Sequence, residues 1–287
     1  MTRDDSIIEL GSWLRTAPGQ VLLAWEQDRL DHAVTNAFGF HALQLGLPEM
    51  EALRANRMPH RWVATDSLVV PEALSLPPQA DRQIVTLPPP EPISLHCEFD
   101  ALPFPNASID LVVLPHALEL ARDPHQTLRE VERVLVPEGR VVIVGFNPVS
   151  LWGLRQRAGR VTRGMGLSRG QPLFLPRAGE FLGYWRLRDW LRLLGFELEA
   201  GRFGCWRPPL KSPTWLERFV WMDRVGERWW PVLGSVYFLQ AVKRVRGMRL
   251  IGLAKQERRK AHGAPVAVAN RRRDNILGRR DNEKNDG

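Results

Sequence analysis

The sequence predicts an α/β fold built around a mostly parallel sheet. Strand-like apolar runs alternate with amphipathic helical patterns from about residue 41 to residue 242. Residues 109–114 and 140–145 are almost continuously apolar, which is typical of parallel strands buried on both faces. A hydrophobic fraction of 44% and a charged fraction of 25% over 287 residues exclude a mainly disordered, collagen-like or disulfide-scaffold chain.

The amino-terminal part predicts helices followed by two strands. Apolar residues recur at helical spacing over the first forty positions, and Pro18 with Gly19 is expected to break this pattern into two helices. Strands are predicted at 41–46 and 61–66, with a short helix over 48–56 that Pro48 opens. Residues 71–93 are rich in proline and predict a loop.

The middle and the last third contain the clearest elements. A strand at 94–99, a turn-rich connection at 100–108 and the strand at 109–114 precede a helix that Asp123 caps and Pro124 begins. Leu128 and Val131 belong to the apolar stripe of this helix, while Arg129, Glu130, Glu132 and Arg133 are predicted to face outward. The strand at 140–145 follows, then a helix at 186–194 and strands at 196–201 and 235–242.

Charge and cysteine content restrict the environment and the partners. The net charge is +8, and residues 255–287 alone contain ten basic and five acidic residues, so much of the excess belongs to a hydrophobically poor tail that we expect to be disordered. This placement gives nucleic-acid or anionic-membrane binding only weak support. Cys97 and Cys205 form no CxxC pair, which argues against a zinc cluster or a disulfide framework. With no transmembrane run and no secretory signal in the sequence, we expect a cytoplasmic protein.

One stretch carries a family resemblance. The segment from Asp100 to Val113 (DALPFPNASIDLVV), the segment HALEL from His116, the Asp123–Pro124 helix start, LREVERVL and then PEGRVVI occur in a fixed order. This combination resembles the type 11 group of class I S-adenosylmethionine-dependent methyltransferases. The resemblance is close over about 50 residues and loose over 41–242, and in detail it is nearest to a proteobacterial subgroup with GFNPVSLWG after the fifth strand.

The resemblance implies a Rossmann-like seven-stranded sheet with helices on both faces and an antiparallel last strand. S-adenosyl-L-methionine would lie across the carboxyl ends of the strands. Carried over by position, the cofactor-binding residues are Gly46 in the first loop, Asp66 at the ribose, Asp100 and Ala101 at the adenine, and Pro115 with His116 near the methionine half. The acceptor is expected to be a small molecule, and no catalytic residue is assigned.

The first loop departs from the family pattern. The family has G-x-G-x-G there, whereas this chain has Gly46-Leu-Pro-Glu-Met50 with one glycine. Leu47, Pro48 and Glu49 must turn away from the cofactor or narrow its site. A catalytically inactive Rossmann-like binding or scaffold module is therefore the alternative function, and a nicotinamide dehydrogenase is disfavoured because no G-x-G-x-x-G follows a predicted strand.

Other features of the sequence allow more than one interpretation. Asp100 and Asp66 could be turn acids, and His116 could be a histidine held by backbone at a helix start. His116 and Tyr184 are the candidates for a general base. Eight of the eleven tryptophans follow residue 150, and the aromatic insertion at about 206–234 could be a helical cap over the substrate, a core or a partner surface.

These observations divide the chain into three parts, which are a helical segment at 1–35, a methyltransferase-like domain at 36–254 and the basic tail. No metal site is expected, because the His116–Glu119 pair has no third ligand near it in the sequence.

Overall fold

A computed structural model describes residues 3–66, 94–165, 173–176 and 181–244, with side-chain placement from residue 9 onward. These residues belong to one compact unit, Met1–Val245. The predicted proline-rich loop at 71–93 and the predicted disordered tail at 255–287 lie outside the described residues.

Seven strands form one sheet in the order β3-β2-β1-β4-β5-β7-β6. The strands β1 to β5 pair in parallel, and β7 runs antiparallel to both β5 and β6. This architecture confirms the predicted seven-stranded, mostly parallel sheet with its antiparallel last strand. The bounds are β1 His41–Leu45, β2 His60–Thr65, β3 Leu95–His96, β4 Ile109–Pro115, β5 Leu135–Phe146, β6 Phe196–Gly204 and β7 Val236–Lys243.

Helices cover both faces of the sheet. Alternate residues of β4 and β5 enter two separate buried clusters, so that Val113 and Val142 pack with the amino-terminal helices while Val112 and Val141 pack with α4 and α6. The helices are α1 Arg3–Leu14, α2 Ala17–Thr35, α3 Ala117–Leu120, α4 Pro124–Val134, α5 Leu151–Gly164, α6 Tyr184–Leu193, α7 Pro213–Arg218 and α8 Trp221–Trp229, with a 3-10 turn at Pro231–Leu233.

The two predicted amino-terminal helices are present, but the break between them lies at residues 15 and 16 and not at Pro18 and Gly19, and the helix predicted at 48–56 is wrong. Pro18 and Gly19 do not separate the helices, because Thr16 caps α2 and Pro18 occupies its first turn, where a missing N–H costs no hydrogen bond. Residues 48–56 form consecutive turns instead of a helix. The turns are closed by short-range bonds such as Met50 N–H to the Leu47 carbonyl at 3.0 Å.

The carboxyl edge of the sheet collects the elements that bear on function. The parallel strands end at this edge, and α5 follows the end of β5 there. Because β7 runs in the opposite direction, it begins at the same edge, where Val236 pairs with Phe146. The aromatic insertion between β6 and β7, with α7 and α8, therefore also lies at the carboxyl edge.

Candidate functional site

Four neighbouring strands bring the predicted site residues to one edge. Gly46 follows β1 directly, Asp66 follows β2 directly, and Pro115 is the last residue of β4. Asp100 and Ala101 lie four and five residues beyond β3. Because β3, β2, β1 and β4 are adjacent, they span three strand spacings, roughly 14 Å, along the carboxyl edge.

Gly46 turns the chain at the end of β1. Its φ of 78° is in the left-handed region, which glycine adopts without the steric cost of a Cβ. Its N–H donates to the Ala64 carbonyl at 2.8 Å, so that the turn stays attached to β2. A Cβ at this position would lie 3.4 Å from that of Ala117 and 3.7 Å from the Phe99 ring, which shows that both side chains face Gly46.

The buried amide of Gln44 shapes the loop after Gly46. Its Nε2 donates to the carbonyls of Gly46, Leu47 and Met50 at 3.2, 2.9 and 2.8 Å, and its Oε1 accepts from the Ala52 N–H at 3.1 Å. If residues 48–56 were helical, these carbonyls would accept hydrogen bonds from backbone N–H groups of the helix. The buried Gln44 side chain thus makes the hydrogen bonds that a helix would supply, and the loop forms a compact turn.

The side chains of this loop turn toward the amino-terminal helices. Leu47 and Met50 are buried in the cluster that contains Leu10 and Leu14 of α1, whereas Phe99 belongs to the cluster on the other face. Burial raises the pKa of Glu49, and the Arg15 charge opposes that rise. The amino-terminal helices therefore accommodate the side chains of Leu47 and Met50.

The edge next to β1 is formed by the ends of β2 and β3. Asp66 is half-buried, and the Cys97 N–H donates to the Thr65 carbonyl at 3.0 Å, which continues the β2–β3 pairing. Burial, with a contribution from the Asp66 charge, raises the pKa of the Cys97 thiol to about 11. At neutral pH Cys97 is thus a protonated thiol beside a carboxylate, which agrees with a structural cysteine.

Asp100 and Ala101 lie in a turn after β3. The Ala101 N–H donates to the Glu98 carbonyl at 3.2 Å and closes the turn, while Asp100 is half-buried. The turn leads into residues 102–106, which we call the 102–106 loop.

Two charged residues of α4 hold this loop, which contradicts their predicted outward position. Arg133 donates to the carbonyls of Leu102 and Phe104 at 2.8 and 2.9 Å, and Glu130 accepts from the Leu102 N–H at 3.0 Å. Glu130 and Arg133 also pair with each other at 2.8 Å, and this pairing lowers the pKa of the Glu130 carboxyl. The helix after β4 therefore positions the segment that contains Asp100.

His116 is completely buried at the start of α3, with a φ of 52°. Its Nδ1 lies 2.8 Å from Glu119 Oε2, and its Nε2 lies 3.0 Å from Glu26 Oε1 on α2. The imidazole also packs on the Phe146 ring, with centroids 4.4 Å apart. Glu26 is a functional candidate that sequence reasoning missed, since it lies ninety residues away and no local pattern marks it.

The charges of this cluster decide its protonation. Burial alone would lower the pKa of His116, but the carboxylates of Glu26 and Glu119 overcome this effect and raise the pKa to about 10. Burial raises the pKa of Glu26, and the His116 charge opposes it. An imidazolium between two carboxyl groups ties α2 to the carboxyl edge, with both ring nitrogens engaged.

Tyr184, the other candidate base, lies beside β6 and β7, at the end of the sheet opposite to β3. It begins α6, and its ring packs on Phe203 and Tyr237 of the last two strands at centroid distances of 5.0 and 6.1 Å. The structure does not bring Tyr184 together with Gly46, Asp66 and Asp100.

Comparison with known proteins connects this architecture to a family. Residues 74–143 match the family model described as a methyltransferase domain. Over 113 residues the chain is 37% identical to the uncharacterized protein YafS of Escherichia coli, covering 39% of this chain and 43% of that protein. Over 58 residues it is 43% identical to a malonyl-[acyl-carrier protein] O-methyltransferase of Halorhodospira halophila, covering 20% of each.

A solved structure supports the fold. The complex between the Haloferax volcanii Trm112 methyltransferase activator and a methyltransferase contains a chain that matches with a TM-score of 0.50 and 17% identity, covering 86% of this chain and 99% of that one. The chain spans less than half the length of the curated relatives given above. The family match confirms the resemblance to type 11 methyltransferases, and the strand order confirms the Rossmann-like fold.

Proposed function

We propose that this chain, whose residues 74–143 match the methyltransferase domain family, transfers a methyl group from S-adenosyl-L-methionine to a small-molecule acceptor. The observation that carries the proposal is that Gly46, Asp66 and Pro115 lie at the carboxyl ends of three strands, and Asp100 lies shortly beyond the end of the adjacent β3. Ligands of open α/β sheets bind at this carboxyl edge, where the strand order reverses. Here the reversal lies between β1 and β4.

The residues at this edge have the chemistry that the cofactor needs. The Asp66 carboxylate can accept hydrogen bonds from ribose hydroxyls, and the Asp100 carboxylate can accept one from the adenine amino group. Two acidic side chains also favour a ligand with a sulfonium charge. Gly46, Ala117 and the Phe99 ring lie close together beside this edge and are buried.

We assign different roles to the backbone and the side chain of His116. Its left-handed backbone turns the chain directly after Pro115, the last residue of β4. Its buried side chain holds α2 in place through Glu26 and is not free to exchange protons with a substrate. His116 is thus a positioning residue, and we assign no general base.

When bound, the cofactor supplies a methyl group that its positive sulfur already activates. The chain then has to orient the acceptor in line with that methyl group and to exclude water. Neither task requires a catalytic dyad, which agrees with the residues found at the edge.

Calorimetric titration of the full chain with S-adenosylmethionine and S-adenosylhomocysteine tests the proposal. We expect micromolar binding, weakened at least about tenfold by Asp66→Ala and by Asp100→Ala, since a hydrogen bond to a charged group contributes about 1.5–3 kcal/mol. Asp189→Ala, at an exposed acid on α6, is the matched control. Folded protein that binds neither compound up to millimolar concentration would instead be an inactive binding or scaffold module.

A further inference from the structure

We propose that α5 and the α7–α8 insertion dock this chain on an anionic membrane surface. Within the insertion, four tryptophans within sixteen residues of chain are half or more exposed: Trp215 at 50%, Trp221 at 56%, Trp229 at 70% and Trp230 at 55%. Large exposed apolar patches on a protein commonly mark an interaction surface. The helices of the predicted substrate cap are present, but these rings are open to solvent.

Hydrogen bonds connect α5 to the start of the insertion and connect that start to the end of α8. Trp152 of α5 donates from Nε1 to the Arg207 carbonyl at 2.7 Å, and Arg155 donates to the Pro209 carbonyl. Trp206 donates from Nε1 to the Trp230 carbonyl at 2.9 Å, which connects the end of α8 to the same loop. We call the exposed face of α5 and residues 205–234 the tryptophan–arginine surface.

The charge of this surface complements an anionic bilayer. Leu151–Gly164 contains four arginines and no acidic residue. Residues 205–234 contain five basic and three acidic residues, and one of the acids, Asp223, is paired with Arg207 at 2.8 Å. Basic side chains close to a membrane surface are attracted by anionic lipids, and tryptophan is favoured at the headgroup level.

Aliphatic side chains on the same surface favour a membrane over other occupants. Leu154 and Val161 of α5 and Val220 before α8 are exposed, and aliphatic groups cannot stack on nucleic-acid bases as tryptophan can. A second copy of this face would bring like charges together. In a lipid interface the aliphatic groups leave water and the arginines stay with the headgroups. No helix in the described ranges is long and apolar enough to span a bilayer.

Docking on this surface would turn the carboxyl edge of the sheet toward the membrane. Helix α5 follows the end of β5, and residues 205–234 precede the start of β7. Both the end of β5 and the start of β7 lie at the carboxyl edge, which also contains Gly46 and Asp66. This inference concerns membrane contact and does not depend on methyl transfer.

Vesicle flotation of the full chain tests the proposal, with vesicles of phosphatidylcholine alone or mixed with phosphatidylglycerol. We expect binding that requires the anionic lipid and a blue shift of tryptophan fluorescence. Arg157→Glu/Arg224→Glu/Arg228→Glu is expected to weaken partitioning at least about 100-fold, since each basic group near an anionic surface contributes about fivefold and the new carboxylates are repelled. Trp221→Ser/Trp229→Ser is expected to weaken it at least about tenfold.

Two matched controls separate this surface from the rest of the chain. Arg271→Glu/Arg272→Glu/Arg273→Glu makes the same charge change in the tail, and Phe38→Ser/Phe40→Ser removes exposed aromatics before β1, at the opposite edge. Both controls are expected to bind like the unmodified chain, and circular dichroism confirms that each variant is folded.

Several results would overturn the proposal. One is equal binding to vesicles with and without phosphatidylglycerol. A second is loss of binding in the Arg271/Arg272/Arg273 variant of the tail but not in the Arg157/Arg224/Arg228 variant. A third is a Trp221→Ser/Trp229→Ser variant that binds as well as the Phe38→Ser/Phe40→Ser control. A concentration-dependent dimer that Trp221→Ser/Trp229→Ser abolishes, without vesicle binding, would assign the surface to a second copy. Single-stranded RNA that displaces the vesicles through the same three arginines would assign it to nucleic acid.

Discussion

The buried cluster of Glu26, His116 and Glu119 predicts a specific dependence of stability on pH. The pKa of His116 is about 10 in the folded chain, against 6.5 for an ordinary histidine. Because the folded pKa is raised, the stabilisation is complete below pH 6.5 and is lost as the pH rises through 10. Glu26 acts in the same direction from a lower pH, since burial raises its pKa above 4.5.

The size of the effect follows from proton linkage. Between pH 6.5 and 10 the folded chain holds one proton that the unfolded chain has released, so the free energy of unfolding falls by about 1.4 kcal/mol per pH unit. Between pH 6.5 and 9 this amounts to a loss of about 3 kcal/mol from the cluster. His116 is fully buried, so that solvent screening does not reduce this figure greatly.

Urea unfolding at a series of pH values measures this loss, and Glu26→Gln reduces it. The variant removes one of the two carboxylates that raise the pKa of His116, so its free energy of unfolding should level off at a lower pH. Glu227→Gln, at an exposed residue of α8, should keep the slope of the unmodified chain. A side-chain 1H–15N spectrum shows directly whether His116 is an imidazolium at pH 8. A neutral ring at that pH, or a slope that Glu26→Gln leaves unchanged, would refute the reasoning.

Three further predictions concern the edge itself. Arg133→Gln should lower the free energy of unfolding by about 2 kcal/mol and weaken cofactor binding about tenfold, because the carbonyls of Leu102 and Phe104 lose a charged donor. Urea unfolding measures the first effect and calorimetry the second. Unchanged affinity would show that the 102–106 loop does not contribute to the cofactor site. Gly46→Ala should lower the free energy of unfolding, measured with urea, by about 1–2 kcal/mol, because alanine is strained at the left-handed φ of this residue. An unchanged free energy of unfolding would contradict that backbone conformation. Cys97 should react with iodoacetamide at pH 8 about 100-fold more slowly than free cysteine, because its pKa is about 11. Mass spectrometry measures the rate of alkylation. Alkylation at the rate of free cysteine would contradict the burial of the Cys97 thiol.

Strong local signals explain what the sequence could predict. The apolar runs at 109–114 and 140–145 are β4 and the end of β5, and Asp123 caps α4 by accepting from the His125 and Gln126 N–H groups. Such signals lie within a few residues of one another, so periodicity and capping chemistry identify them. The remaining strands are predicted from the same kind of pattern, and the family resemblance implies that seven strands form one sheet with an antiparallel last strand.

Long-range contacts explain what the sequence could not predict. The helical pattern at 48–56 is overridden by the amide of Gln44, whose buried hydrogen bonds capture the loop carbonyls. Helical spacing predicts that Glu130 and Arg133 face outward, but residues of the 102–106 loop form hydrogen bonds with both side chains. Glu26 has no local signal, because its partner His116 is brought to it only by the packing of α2.

Net charge was a poor guide to the distribution of charge. The body outside the tail is close to neutral in sum, which gave membrane binding little support. The structure nevertheless connects α5, which contains four arginines, to the insertion that contains the exposed tryptophans. A sum over a chain therefore conceals a basic surface that acidic residues elsewhere offset.

A crystal structure of the full chain with S-adenosylhomocysteine tests the central claim most directly. The account predicts the nucleoside across the ends of β1, β2 and β3, with the ribose hydroxyls at Asp66 and the adenine amino group at Asp100. A nucleoside bound elsewhere, or an edge that the 46–50 loop fills so that none binds, would contradict the assignment and leave only the fold.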